Sequence, residues 1–280
     1  MPESRFTLAM GQMLVEGGNA QANLTRARAM IDDARREGCN VVVLPECLDL
    51  GWANPAALES AQPIPGPFSD VLCQAARESR IHVVAGLTER EGDALYNAAV
   101  LISPEGQILL RHRKINLLTD VEGIYSVGAS LSVASTSLGT IGVDICADNF
   151  PDSLALGHAL ARMGAQILLS PCAWAVEAEH DNTKEPYGGL WRDSYSTLAK
   201  LYDMTVVGVS NVGWINAGPW KGRKCIGCSL AIGPTGQIIA QGQYGESAEC
   251  LVTISVKLAP RRLAGTAIAK MLRSKGYQGH

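Results

Sequence analysis

The sequence predicts an α/β protein: a four-layer α-β-β-α sandwich with two pseudo-equivalent halves. Two observations carry this. Helix-like segments alternate with short apolar runs, CNVVVLP, IHVVAGL, QILLS and MTVVGVS, and strands without polar alternation belong to sheets covered on both faces. In addition, VLISPEGQILLR (100–111) and LAIGPTGQIIAQ (230–241) echo one another. Each is a pair of apolar strands hinged on a Pro-x-Gly-Gln turn. Two related halves, each supplying one sheet, stack face to face with their helices outside.

The elements follow in order. Asn19 to Glu37 reads as a helix, because Ala20, Leu24, Ala27, Ile31 and Ala34 share one face. Asn19 can cap its start and Gly38 can stop its end. The β-branched run of CNVVVLP comes next, closed by Pro45. A helix near Phe68–Ser79 precedes the strand IHVVAGL, one near Ser153–Met163 precedes QILLS, and one near Gly189–Tyr202 precedes MTVVGVS. No low-complexity linker interrupts the pattern, so residues 1–280 are expected to form a single domain.

Composition narrows the function. With 280 residues, 47% hydrophobic and 18% charged, the chain can bury a large core. A net charge of −3 gives no general attraction to nucleic acid or anionic membranes, and basic residues cluster only at Arg111–Lys114 and Arg261–Arg262. Neither a signal-like N-terminus nor a membrane-length apolar run is present, so a cytoplasmic location is expected. The eight cysteines then read as free thiols. Cys225-Ile-Gly-Cys228 has metal-like spacing but lacks a second pair or a histidine motif, so no metal or cofactor is expected and packing is the favoured role.

Active sites in α/β folds lie beyond the carboxyl ends of strands. Three polar residues sit at such exits: Glu46 after VVVLP, Lys114 after ILLRHR and Cys146 after TIGVDI. Taken singly they read as a solvated carboxylate, a surface cation and inert core filling. Together they make a machine for acyl transfer. A neutral-pH thiol needs a neighbouring base or cation, and Glu46 can take its proton. Lys114 can stabilise the thiolate and the oxyanion, with the backbone N–H of Ala147 as a second donor. No histidine stands in a suitable motif, so a Cys–His pair is the weaker account.

LPECLDLGW, HRKINL and GVDICADNFP resemble, in order, three signature segments of the carbon–nitrogen hydrolase family, the nitrilase superfamily. The likeness runs from FTLAMGQ through SPCAW, SNVG and IGCSLAIGPTGQ to about residue 257. It implies a Glu–Lys–Cys triad in an α-β-β-α sandwich: Glu46 as general base, Lys114 as oxyanion stabiliser, Cys146 as nucleophile. It also implies that Glu122, in LLTDVEGIYSVG, orients the lysine and the substrate nitrogen. Cys146-Ala147-Asp148 departs from the Cys-Trp-Glu of nitrilases proper and sits closer to the amidase and carbamoylase branches. The tail after about residue 257 would be an arm contacting a second subunit in a homodimer or higher homo-oligomer.

The expected substrate is a small amide or N-carbamoyl amine, with a nitrilase, an acyltransferase to an amine, or a non-catalytic binding protein as alternatives. Ala147, Asn149, Trp174 and Glu177 are the expected pocket residues. Glu177, Glu179, Asp181 and Glu185 make segment 173–191 acidic; this reads as a solvated loop ahead of a reader of a cationic group. Trp174 and Trp191 are pocket or interface aromatics, and sequence does not separate the two.

Overall fold

A computed structural model describes residues 5–259 and 264–279. The first half runs β1 (Arg5–Gln12), α1 (Ala20–Arg36), β2 (Val41–Val43), α2 (Ala57–Ser60), α3 (Pro67–Ser79), β3 (His82–Glu91), β4 (Ala94–Ile102) and β5 (Ile108–Arg113). The second runs β6 (Val133–Thr136), β7 (Gly139–Val143), α4 (Leu154–Met163), β8 (Ile167–Cys172), β9 (Ala175–Val176), α5 (Gly189–Tyr202), β10 (Thr205–Ser210), β11 (Val212–Trp214), β12 (Lys224–Ile226), β13 (Leu230–Ile232) and β14 (Ile238–Gln241). β15 (Cys250–Lys257) and α6 (Thr266–Ser274) close the chain.

Two mixed six-stranded sheets result, ordered β15-β1-β2-β3-β4-β5 and β6-β7-β8-β10-β13-β14. Each has the same grammar: an antiparallel edge strand, three parallel strands, then two antiparallel strands. The two Pro-x-Gly-Gln segments form matching hairpins, β4–β5 and β13–β14, each with a register shift beside its second strand.

Two-sided burial explains the apolar strands. Leu8, Met10, Val41 and Val43 pack into the core shared with the second sheet. Their neighbours Ala9 and Val42 pack instead with Leu24, Ile31 and Leu72 of α1 and α3, as the two-residue period requires. On the far side, Leu160 of α4 and Tyr195 and Leu198 of α5 cover the second sheet. The Asn19 side chain accepts from Ala22 N and caps α1, and Gly38 follows in a positive-φ turn.

The chain beyond β15 turns back on its own fold: Ile268 and Leu272 of α6 pack against Leu201 of α5. Arg261 and Arg262, the second basic cluster, lie outside the described residues. Among the described residues, no helix is long and apolar enough to cross a membrane. A small third sheet, β11-β12-β9, joins strands of only two to three residues.

Candidate active site

Parallel strands deliver their carboxyl ends to one edge of the sandwich, and there the three predicted exits meet. Glu46 lies just past β2, Lys114 directly after β5 and Cys146 just past β7. The Glu46 turn rests flat on β3: a methyl group at Gly86 would meet Glu46 Cα at 2.5 Å and Cys47 N at 2.8 Å. Only glycine allows that approach. The Glu46 N–H donates to the Cys172 carbonyl at 3.2 Å, tying this turn to the second sheet.

Lys114 stands between two carboxylates. Its Nζ lies 2.8 Å from Glu46 Oε1 and 2.9 Å from both oxygens of Glu122, and all three side chains are buried. Glu122 is fully engaged. Its Oε1 also accepts from Trp52 Nε1 at 2.8 Å and Asn97 Nδ2 at 2.9 Å, and its Oε2 accepts from Leu118 N at 2.8 Å. Glu46 is not: its Oε1 accepts from Lys114 and from Asn97 at 2.6 Å, whereas the buried Oε2 has no partner.

Cys146 opens a single 3₁₀ turn, Cys146–Asn149, and takes a left-handed conformation with φ of 44°. A non-glycine residue held there is strained, a feature that gathers at functional sites. Two anchors hold it. Cys146 N donates to Ser170 Oγ at 3.0 Å. Asp148 Oδ1 accepts from Ile115 N and Asn116 N at 3.0 and 2.7 Å, and Oδ2 accepts from Ile145 N at 3.1 Å and contacts His112 Nε2 at 2.8 Å. Asp148 therefore fastens the cysteine turn to the lysine turn.

Burial pushes the Cys146 thiol well up; its contact with Cys172 and the Glu46 charge add to this, and Lys114 opposes it. Burial also raises Glu46, against the pull of Lys114. For Lys114, burial alone would lower the ammonium, but Glu46, Glu122 and Cys146 together hold it well above its ordinary value. The resting thiol is thus protonated beside a carboxylate with a bare oxygen and a permanent cation. Cys146, at 8% exposure against 1% for Glu46 and Lys114, is the member that meets solvent.

The other predicted pocket residues are placed differently. Ala147 is buried beside Cys146, its carbonyl accepting from Asn116 Nδ2. Asn149 directs its Nδ2 to Asp144 Oδ1 and Ser170 Oγ, at 2.7 and 3.2 Å, so it braces the turn. Trp174 is buried and stacked on Trp191 at 5.0 Å; the pair lies in the interior. Glu177 is exposed and paired with Arg223, and Asp181 is paired with Lys184. The acidic segment is thus a solvated loop with half of the four named carboxylates already matched. Cys225 and Cys228 are both free and buried, and among the described residues no cluster of three or more His, Cys, Asp or Glu is arranged to hold a metal.

Asn97, Trp52, Asp148, His112 and Ser170 were not singled out from sequence. Trp52, His112 and Asp148 lie inside the signature segments and could have been found there. Asn97 sits in an apolar strand, where only the β4–β5 register reveals its place beside Lys114.

A carbon–nitrogen hydrolase family model matches residues 7–263, and the chain belongs to that family. Among curated relatives, it is 31% identical over 255 residues to the omega-amidase NIT2 of Danio rerio, covering 87% of this chain and 86% of that one. It is 30% identical over 230 residues to a nitrilase of Pyrococcus abyssi, covering 80% of each. Among solved structures, Saccharomyces cerevisiae Nit3 superposes with a TM-score of 0.77 at 21% identity, covering 99% of this chain and 96% of that one. A double mutant of the amidase from Nesterenkonia sp. AN1, in complex with acrylamide, gives a TM-score of 0.76 at 22% identity, covering 98% of this chain and 95% of that one.

Proposed function

We propose that the protein hydrolyses the carbon–nitrogen bond of a small primary amide or N-carbamoyl amine through a thioester on Cys146, releasing ammonia. The observation that carries this is the asymmetry of the two carboxylates. Glu122 has both oxygens engaged, while Glu46 keeps Oε2 bare near a protonated thiol. Glu122 is a fixed counter-charge and Glu46 is the group that carries protons.

The Cys146 sulfur attacks the substrate carbonyl carbon as its proton passes to Glu46. Lys114 and the Ala147 N–H receive the oxyanion. Glu46 returns the proton to the substrate nitrogen, the C–N bond breaks and ammonia leaves. A water then gives its proton to Glu46 and attacks the thioester. The second tetrahedral intermediate expels the sulfur, which recovers the proton, and the carboxylic acid departs. Glu122 holds Lys114 throughout.

Ammonia release across terminal amides, carbamoyl amines and nitriles tests the reading. Terminal amides head the panel because several relatives are omega-amidases; nitriles are included because one relative is a nitrilase. Cys146→Ala should lower release at least about a thousandfold. Undiminished release would remove Cys146 from the reaction, and release from nitriles alone would make the chain a nitrilase.

Two further parts belong to this reading. The eight free thiols support a reducing, cytoplasmic setting. Exposed Leu190, Ile238 and Ile239 support association into a homodimer or a multiple of one; a monomer in sedimentation velocity would contradict that.

A further inference from the structure

Asn97, on β4, touches three members of the site at once. Its backbone carbonyl accepts the Lys114 N–H at 2.8 Å. Its Nδ2 donates to Glu46 Oε1 at 2.6 Å and to Glu122 Oε1 at 2.9 Å. Both amide hydrogens are committed, one to each carboxylate. The Oδ1 of the same amide is buried without a partner. A stranded buried carbonyl is rare in protein interiors, so the side chain is held here for its amino group alone.

We propose that Asn97 is a positioning residue whose amino group cross-links the two carboxylates, occupies Glu46 Oε1 and leaves Oε2 as the only oxygen free to take the Cys146 proton. This rests on Glu46 acting as the base for Cys146, as read above. Two carboxylates share one ammonium, and the amide supplies the remaining positive pole without adding a charge that titrates. Glu46 is faced by Lys114, Glu122 and the Cys146 thiol, and its charge also acts on the thiols of Cys47 and Cys225. Without the amide, Glu46 would hold a proton more tightly and serve as a base only at higher pH.

Alkylation of Cys146 by iodoacetamide, followed by peptide mass spectrometry from pH 4 to 9, tests this without needing the natural substrate. It stands or falls even if no amide in the panel is turned over. In the unaltered protein the rate should fall on the acid side as Glu46 takes up a proton. Asn97→Ala should move that limb up by about one pH unit. Asn97→Asp keeps the shape, replaces the donor by an acceptor and carries the test alone should the alanine variant not fold. It should alkylate more slowly at neutral pH, with its acid limb displaced further up than that of Asn97→Ala, because the added negative charge makes Glu46 hold its proton more tightly still. Profiles that superimpose on the unaltered protein, or that drop by one factor at every pH, would overturn the proposal.

Discussion

Asp148 shows how much of the site depends on residues that do no chemistry. Its carboxylate gathers three backbone N–H groups from two loops and contacts the His112 ring. Asp148→Asn would turn an amino group toward at least one of those donors. The expected loss is about 2 kcal/mol of stability, since buried bonds to a charged group are worth more than neutral ones, with turnover falling alongside. Urea denaturation paired with steady-state kinetics checks it; unchanged stability would mean that the two turns are held by something else. At this scale Glu46, Lys114 and Cys146 were legible because each follows the end of a strand, whereas Glu122 lies in the loop after β5 and was legible only through the family resemblance. Asn97 was not legible, because a polar residue in a strand declares its partner only through register. Glu177 shows the complementary limit: a charge in a loop does not announce that Arg223, far along the chain, pairs with it.

Elements set the reach of these residues. The turn after β2 lies on Gly86 of β3 so closely that a Cβ there would overlap Glu46 Cα and the Pro45 carbonyl. Gly86→Ala should therefore displace Glu46 while leaving the sheets paired. A shift near 1 Å is expected to cost about a hundredfold in turnover, with circular dichroism unaltered; full activity would show that the turn can yield. The paired hairpins and alternating helices were readable because their periods are long enough to count. β9, β11 and β12 are two to three residues each, too short for any period to register. For α6, the apolar residues Ile268 and Leu272 lie on α5 of the same chain, a partner that no sequence period announces.

Across the whole molecule, the two sheets share one strand grammar, and stacking them brings the Glu46 and Lys114 exits from one sheet against the Cys146 exit from the other. That arrangement buries carboxylates beyond the triad. Asp144 is raised from 3.8 to about 6, by burial first and then by the Asp148 charge. A raised carboxyl favours folding while protonated: its contribution is fully present below the unfolded value near 3.8 and is lost as pH rises through about 6. Relative to the unaltered protein, Asp144→Asn should thus gain stability between pH 4 and 6 and hold a constant difference above. Urea midpoints at several pH values check this, and a difference that shrinks with rising pH would contradict it. The central claim concerns Cys146, and the most direct measurement is acid-quenched mass spectrometry of the protein during turnover of an amide. The account predicts an added mass equal to the acyl group, located on the Cys146 peptide and absent from Cys146→Ala. Steady turnover with an unmodified Cys146, or an adduct on another cysteine, would contradict it.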